Sequence, residues 1–135
     1  MLILNGHSTN IWPLKCAWDA LRFKFSNIQV KVINWWDLLA NEEKELLFKD
    51  GGHANVTETS IALALEPELV HMEKAIDETT QSYSFDYRVD QISKTGVLGK
   101  PSLANAEYGK KILNKVIENA IAFTKKALEE EIPYP

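Results

Sequence analysis

Hydrophobic residues follow two spacings in the first third of this 135-residue chain, and the two spacings alternate. Leu2, Ile3 and Leu4 form a continuous apolar run, which predicts a strand buried on both faces of a parallel sheet. The segment 28–33 (IQVKVI) alternates in part and predicts a second strand with one face less fully covered. A helical pattern lies between these two segments, so the order predicted here is strand, helix, strand.

Helical spacing of apolar residues predicts the remaining regular structure. The first helix carries Pro13 in its first turn, where the missing N–H costs nothing, and its apolar positions are Leu14, Ala17, Trp18, Leu21 and Phe25. A second helix is predicted over 34–49, ending before Asp50, and a third from near Thr57 until Pro67. A long amphipathic helix closes the chain, with an apolar stripe of Leu113, Val116, Ile117, Ala120, Phe123 and Ala127.

The segment 79–104 has no clean period and predicts a long loop, with a short strand or hairpin near Tyr87 to Val89. Loops of this length in compact domains are often functional. The alternation of strands and helices predicts one α/β layered domain over 1–135, built on a parallel sheet. Only two or three strands are visible, where about five or six are usual, so further strands must come from elsewhere.

Composition narrows the class of partner. Lys and Arg number 15 against 19 Asp and Glu, a net charge of −4, which gives no reason to expect nucleic acid or a membrane as partner. Cys16 is the single cysteine, so no intrachain disulfide forms, and the cytoplasm is the expected compartment. The sequence shows neither a membrane-length apolar segment nor a signal-peptide pattern. Because it starts directly in a strand, the chain is expected to be a fragment of something larger.

A histidine follows a glycine turn at the end of the first predicted strand. Ligands of parallel α/β sheets bind beyond the carboxyl ends of the strands, which is where His7 is expected. Gly6 permits a sharp turn, and the side-chain amide of Asn5 can fix it. His7 is therefore a candidate metal ligand or base. The alternative is a turn histidine that bonds the backbone or helps to cap the helix beginning near Asn10.

A second histidine turn follows Gly51-Gly52, with His53 directly after it. Asn55 and Glu58 have the spacing of a capping box, which gives Glu58 a purely structural alternative. The functional hypothesis places Glu58 in the same crevice as His7 and His53. Histidines and carboxylates that converge from different strand ends suit a hydrolytic metal centre, in which the metal activates water and a nearby base moves the proton.

Two further features of the sequence also have plain structural interpretations. The pair Trp35-Trp36 follows the second strand directly, so one ring is expected to line the crevice, the alternative being a core or interface aromatic. His71 lies on a predicted surface helix and is expected to be inert.

Taken together, these segments resemble the creatininase (creatinine amidohydrolase) family. The resemblance lies in four stretches that keep the family's order: NGHSTN, NWWDLL, GGHANVTETSIALALEPELV and GVLGKPSLANAEYGKKILNKVIENA. The pattern H-A-x-x-x-E-T-S is its most specific part, and G..G.P..A....G supports it. The resemblance implies a three-layer αβα sandwich with a mainly parallel sheet, and a metal-dependent hydrolase acting on C–N bonds of cyclic amides or formamides.

The resemblance also implies roles for individual residues. His7 matches the metal-binding histidine of the NGH turn. His53 matches a histidine placed beside substrate and implicated in proton transfer, and Glu58 matches the acidic residue of that segment, so both are candidate catalytic residues. Trp36 matches a substrate-flanking aromatic, and with Asn5 it forms the candidate substrate-binding pair.

Two departures from the family pattern define what this chain is expected to lack. The family's front segment, of the form E-x-H-G-x-H-x-P with an aspartate beyond it, supplies most of the metal ligands and is absent from this sequence. Thr9 stands where creatininases proper place a further glutamate ligand, which argues against creatinine itself as substrate. A catalytic zinc takes three protein ligands plus water, so this chain alone is not expected to be a competent enzyme. The divalent metal, whether zinc, manganese or iron, is expected at an incomplete site.

Three explanations follow for the incomplete ligand set. The chain is one part of a split enzyme with a companion chain, or a truncation that oligomerises with itself, or a degenerate homologue that acts as a non-catalytic assembly or binding subunit. An uncovered apolar strand edge favours association in each case. The expected partners are thus a small-molecule amide substrate and a homo-oligomer or companion chain.

Overall fold

A strand-helix-strand unit opens the computed structural model, which describes residues 1–79, 81 and 83–131. In this part of the chain the strands are β1 (Leu2–Asn5) and β2 (Lys31–Asn34), and the α-helices are α1 (Ile11–Leu21), α2 (Asn41–Leu47), α3 (Val56–Leu65), α4 (Val89–Ile92) and α5 (Ala106–Leu128). The chain divides into two compact units, the first formed by Met1–Ala40 and the part from Val116 onward, the second by Asn41–Lys115. That 1–135 form one domain stays a prediction.

The first unit is organised by β1 and β2, which pair in parallel with Leu2 opposite Lys31 and Asn5 opposite Asn34. The prediction of β1 is confirmed. The second strand begins at Lys31, opposite Leu2, rather than at position 28. Before Lys31 the backbone still turns out of α1, where the Ile28 N–H donates to the Phe25 carbonyl at 3.1 Å.

Helix α1 confirms the helix predicted after the first strand, with Pro13 in its first turn. The single helix predicted over 34–49 is wrong, because the segment forms a 3-10 helix at Trp35–Leu38 and then α2. Between them Leu39 is extended and only 5% exposed. The Leu38 carbonyl accepts the Asn119 side-chain amide at 2.7 Å, so a partner far along the chain replaces a helical hydrogen bond.

Helix α3 of the second unit confirms the helix predicted near Thr57 and ends before Pro67. Its buried face is polar: Thr57 is 1% and Ser60 0% exposed. The Ser60 hydroxyl donates to the Val56 carbonyl at 2.6 Å and accepts from the Asn105 N–H at 3.1 Å. Gly109 of α5 lies directly against Ser60, since a Cβ on that glycine would stand 1.8 Å from the Ser60 carbonyl oxygen.

The described residues of the segment 79–104 are largely irregular as predicted, but the strand or hairpin near Tyr87 to Val89 is wrong. Val89 instead begins the one-turn helix α4. Strand-like pairing occurs at two adjacent residues of the segment. Leu98 forms an antiparallel bridge with His53, and Gly99 forms one with Glu78. These partners are distant in sequence, so no local alternation marks them.

His71 lies outside any α-helix, in contrast to the predicted surface helix. It precedes a 3-10 helix at Met72–Lys74, and its exposed ring lies 3.1 Å from a Glu73 carboxylate oxygen.

The closing helix is confirmed as α5, and its apolar stripe is confirmed in part. Val116 is 6% exposed, whereas Ile117 is 48% exposed. None of the helices in the described part of the chain combines the length and apolar character that a membrane crossing requires.

Candidate functional site

Asn5 shapes the first histidine turn from the carboxyl end of β1. The residue is 4% exposed. Its side-chain Nδ2 donates to the His7 carbonyl at 2.6 Å and to the Asn34 Oδ1 at 2.7 Å, and its Oδ1 accepts from the His7 N–H at 3.4 Å. Asn5 therefore closes the turn and ties it to the end of β2, as its predicted turn-fixing role required.

The His7 ring is exposed, and Thr9 lies beside it. The ring Nδ1 stands 2.9 Å from the Thr9 hydroxyl oxygen. When Nδ1 carries the proton, the hydroxyl accepts from it and orients the ring, and the lone pair that can bind a metal is then on Nε2. Thr9, which the resemblance aligns with a glutamate ligand, thus lies within hydrogen-bonding distance of the His7 ring.

Polar side chains continue from β1 to the segment after β2. The Asn34 side-chain amide donates to an Asp37 carboxylate oxygen at 2.9 Å. In the 3-10 helix between them, the rings of Trp35 and Trp36 meet edge to face, with centroids 5.5 Å apart and planes at 83°. The half-buried Trp36 therefore follows the carboxyl end of β2, where the sequence placed it.

The second histidine turn needs glycine at its first position. Gly51 has φ +139°, and a Cβ there would stand 1.8 Å from the Leu98 carbonyl oxygen. That carbonyl accepts from the His53 N–H at 3.4 Å, and the Leu98 N–H donates to the His53 carbonyl at 2.8 Å. These two hydrogen bonds hold the backbone of His53 against that of Leu98.

The His53 side chain has a defined partner on one nitrogen. Its Nδ1 lies 2.6 Å from the Gly96 carbonyl oxygen. Because a carbonyl can only accept, Nδ1 carries the proton, and in the neutral ring the lone pair is on Nε2. The structure thus sets the tautomer that a general base acting through Nε2 requires.

The predicted capping box of Asn55 and Glu58 forms in part. The Glu58 N–H donates to the Asn55 side-chain oxygen at 3.0 Å, and the Glu58 carboxylate accepts from the Ala54 N–H at 2.6 Å. The predicted box is only half formed, because this carboxylate bonds the Ala54 N–H rather than the N–H of the N-cap residue Asn55. The same bond ties its carboxylate to the residue directly after His53, and a catalytic role for Glu58 stays a prediction.

Asn55 holds the loop before α3 and is 1% exposed. Besides capping the helix, its Nδ2 donates to the Leu47 carbonyl at 2.8 Å and to the Gly51 carbonyl at 2.7 Å. We expect Asn55→Ala to lower the free energy of unfolding by about 3 kcal/mol, the sum of a lost cap and of the two hydrogen bonds that the buried Asn55 amide donates. Urea unfolding followed by far-UV circular dichroism measures this loss.

The matched control is Asn105→Ala. Asn105 is exposed and caps α5 by accepting from the Tyr108 N–H at 2.8 Å. This substitution removes a cap and nothing else, so a loss of about 1 kcal/mol is expected. Equal losses in the two variants contradict the role assigned to the buried amide.

Glu78 is a residue that the sequence did not single out. Its carboxylate accepts from four donors: Ser93 Oγ at 2.9 Å, the Lys94 N–H at 2.8 Å, and the N–H and hydroxyl of Thr95 at 2.9 and 2.5 Å. These bonds, the Thr95 hydroxyl first among them, lower the pKa of Glu78 to about 2. The stabilisation that this carboxylate contributes is present above pH 4.5 and is lost as the pH falls through about 2.

The candidate residues fall into two groups, one in each unit. Asn5, His7 and Trp36 belong to the first, and His53 and Glu58 to the second. That the two groups share one crevice stays a prediction. Across residues 1–79, 81 and 83–131, no three His, Cys, Asp or Glu side chains are arranged to hold a metal ion. His7 alone does not fit a catalytic zinc, which takes three protein ligands.

Comparison with known proteins identifies a family. The model of the family described as creatininase, creatinine amidohydrolase, matches residues 1–124. A creatinine amidohydrolase of Pseudomonas putida is 26% identical in an alignment 149 positions long, which covers 98% of this chain and 56% of the relative. A candidate creatinine amidohydrolase from Bacteroides fragilis superposes with a TM-score of 0.80 at 23% identity, over 99% of this chain and 55% of the other. The chain thus spans about half the length of the relatives it matches.

Metal-bearing forms occur among the similar structures. One is described as a manganese creatininase and another as a Zn-Zn form of a creatininase variant, with TM-scores of 0.73 and 0.72. Each is 24% identical and covers 93% of this chain and 55% of its own. These likenesses confirm the predicted creatininase-like α/β fold.

Proposed function

Since this chain belongs to the creatininase (creatinine amidohydrolase) family, we propose that it is the histidine-bearing part of a metal-dependent amidohydrolase. The proposed reaction is hydrolysis of a C–N bond in a cyclic amide or formamide. The observation that carries the proposal is the 2.6 Å contact between His53 Nδ1 and the Gly96 carbonyl, which presents Nε2 as a base.

His53 moves the proton in this proposal. Amide hydrolysis needs a group that takes a proton from the attacking water and delivers one to the leaving nitrogen, since an amide anion is a poor leaving group. Nε2 of a neutral imidazole can do both in turn. The bond from Nδ1–H to Gly96 also stabilises the doubly protonated ring that exists between the two transfers.

His7 is proposed as this chain's metal ligand, oriented through Thr9. A divalent metal, when bound, lowers the pKa of water and polarises the carbonyl of the substrate. Asn5 and Trp36 are proposed to contact the substrate, and Asn5 also holds the His7 turn by its bonds to His7 and Asn34. Glu58 is proposed to assist His53, which it adjoins through the Ala54 N–H.

The remaining metal ligands are proposed to come from residues outside this 135-residue sequence. The chain spans 56% of its curated relative, so we propose that a segment of the form E-x-H-G-x-H-x-P, on a companion chain or another part of the same protein, completes the site. Self-association and a cytoplasmic location are proposed with it.

Metal analysis tests this proposal. We expect the full chain mixed with the N-terminal half of a creatininase relative to co-elute from a sizing column and to carry at least one zinc, manganese or iron per complex. The chain alone carries less, because its described residues supply no complete ligand set. His7→Ala is expected to weaken metal binding more than 100-fold, since loss even of a residue supporting a ligand costs about 10–100-fold.

His71→Ala is the control for His7→Ala, because it removes an exposed imidazole that contacts Glu73. It should leave the metal content unchanged. A co-eluting complex without metal rejects the hydrolase proposal and favours the alternative of a non-catalytic assembly or binding subunit.

A further inference from the structure

The carbonyl that contacts His53 belongs to the loop Ser93–Gly96 of the second unit. Gly96 has φ +83°, a conformation that residues with a side chain rarely adopt. Its N–H donates to the Ser93 hydroxyl oxygen at 2.8 Å, so the loop is folded back on itself. The direction of the Gly96 carbonyl therefore depends on what holds this loop.

Glu78 holds the loop from the outside. Its two carboxylate oxygens accept from Ser93, Lys94 and Thr95, three consecutive residues of the loop. The Ser93 hydroxyl then links the carboxylate to Gly96, because it donates to Glu78 at 2.9 Å and accepts from the Gly96 N–H at 2.8 Å. A continuous path of hydrogen bonds thus runs from Glu78 to the peptide that bonds His53.

The backbone connects the same residues by a second path. Glu78 and Gly99 exchange backbone hydrogen bonds: the Glu78 N–H donates to the Gly99 carbonyl at 3.0 Å, and the Glu78 carbonyl accepts from the Gly99 N–H at 2.7 Å. His53 pairs in the same manner with Leu98. Leu98 and Gly99 therefore lie between His53 and Glu78, and both side chains reach the one loop that follows α4.

We propose that Glu78 is a positioning residue for His53: its carboxylate fixes the loop Ser93–Gly96 so that the Gly96 carbonyl selects the Nδ1–H tautomer of the imidazole. A carboxylate suits this position because the loop directs only hydrogen-bond donors at it. Four donors converge on one side chain, and only a carboxylate offers acceptor sites alone on both of its oxygens. The inference rests on the proposed function, in which His53 acts as a base through Nε2.

Glu78→Gln tests the inference at almost constant shape. The new NH₂ group faces backbone and hydroxyl donors, so the loop must rearrange and the Gly96 carbonyl loses its direction. The readout is the tautomer of His53, from long-range ¹H–¹⁵N spectra of the full chain labelled at histidine, at about pH 8.5, where an ordinary imidazole is neutral. The signal of His53 is assigned by its absence from His53→Asn.

The expected result is a change in tautomer ratio. In the natural chain the Nδ1–H form dominates. In Glu78→Gln the ratio of Nδ1–H to Nε2–H falls by about two- to tenfold, the effect of losing one hydrogen bond of ordinary strength.

Asp77→Asn is the matched control. It removes the same charge one residue earlier, but the Asp77 carboxylate accepts from the N–H and hydroxyl of Ser102, at 2.9 and 2.6 Å, and from no donor in the loop Ser93–Gly96 that the structure describes. The His53 ratio should stay as in the natural chain. Ser93→Ala is the second test, because it breaks the link to Gly96 while the charge of Glu78 stays, and an intermediate ratio is expected.

The possible outcomes test two claims separately: the positioning role of Glu78 and the proposed function. An unchanged His53 ratio in Glu78→Gln overturns the inference, and if that variant fails to fold, an unchanged ratio in Ser93→Ala does so. A changed ratio in a completed complex without amide hydrolysis supports the positioning role while the proposed function fails. An unchanged ratio, with activity lost in His53→Asn, leaves the proposed function standing and the inference wrong.

Discussion

His53→Asn is expected to lower kcat of the completed enzyme by about 10²–10⁴-fold, the range that a positioned general acid or base contributes. The asparagine amide nitrogen occupies nearly the position of Nδ1, so it can still donate to the Gly96 carbonyl, which lies 2.6 Å from Nδ1. The substitution removes Nε2 alone. Because the lost interaction acts in the transition state, KM should change far less than kcat.

Steady-state hydrolysis of a panel of cyclic amides and formamides measures this effect, in the complex of this chain with the N-terminal half of a relative. His71→Asn is the control and should keep full activity, because the ring of His71 is exposed and bonds Glu73. A kcat within about threefold of the natural complex contradicts the assignment of His53 as the proton-transfer residue, since general acid–base catalysis contributes far more.

Gly109→Ala is expected to destabilise the chain by at least about 3 kcal/mol, or to prevent folding, because overpacking against an immovable neighbour reaches this size. Helix propensity alone predicts the opposite sign, since alanine is favoured over glycine in a helix interior by about 1 kcal/mol. The contact between Gly109 and Ser60 determines the sign of the effect. A Cβ at Gly109 would stand 1.8 Å from the Ser60 carbonyl oxygen and 2.3 Å from its carbon, and backbone atoms inside α3 cannot move aside singly.

Urea unfolding followed by far-UV circular dichroism checks this expectation. The control is Gly52→Ala in the same unit, where an added Cβ meets nothing within 4 Å. That change should stay within about 1 kcal/mol of the natural chain and is expected to be neutral or slightly stabilising. A Gly109→Ala variant as stable as Gly52→Ala would show that α3 and α5 do not approach as closely as the structure describes.

The motif G..G.P..A....G, which served only to indicate the family, acquires a physical reason from these contacts. Gly109 permits the approach of α5 to Ser60. Gly99 permits a similar approach to Asn55, whose Cβ lies 2.6 Å from where a Cβ of Gly99 would stand. The glycines are therefore required by packing, at positions where the partner lies 44 to 49 residues away in the chain.

The features of the candidate site that join residues close in sequence were predictable. The turn role of Asn5 and the cap that the Asn55 side chain provides to the Glu58 N–H were both expected, because a turn or a cap joins residues two to four positions apart. The partner of His53 was not, since Gly96 lies 43 positions away. Nothing in the composition near Glu78 marks it as the anchor of a loop 15 to 18 residues further on.

The sequence by itself determined the elements whose causes are local: β1 from its apolar run, α3 from its cap and its stop before Pro67, and α5 from its stripe. It also determined the family. Only the tertiary structure decided where the helix predicted over 34–49 breaks and which tautomer His53 holds. In each case the deciding hydrogen bond comes from a distant residue, Asn119 for the Leu38 carbonyl and Gly96 for the imidazole. Spacing along the chain encodes periodicity and caps, whereas such partners exist only once the chain has folded.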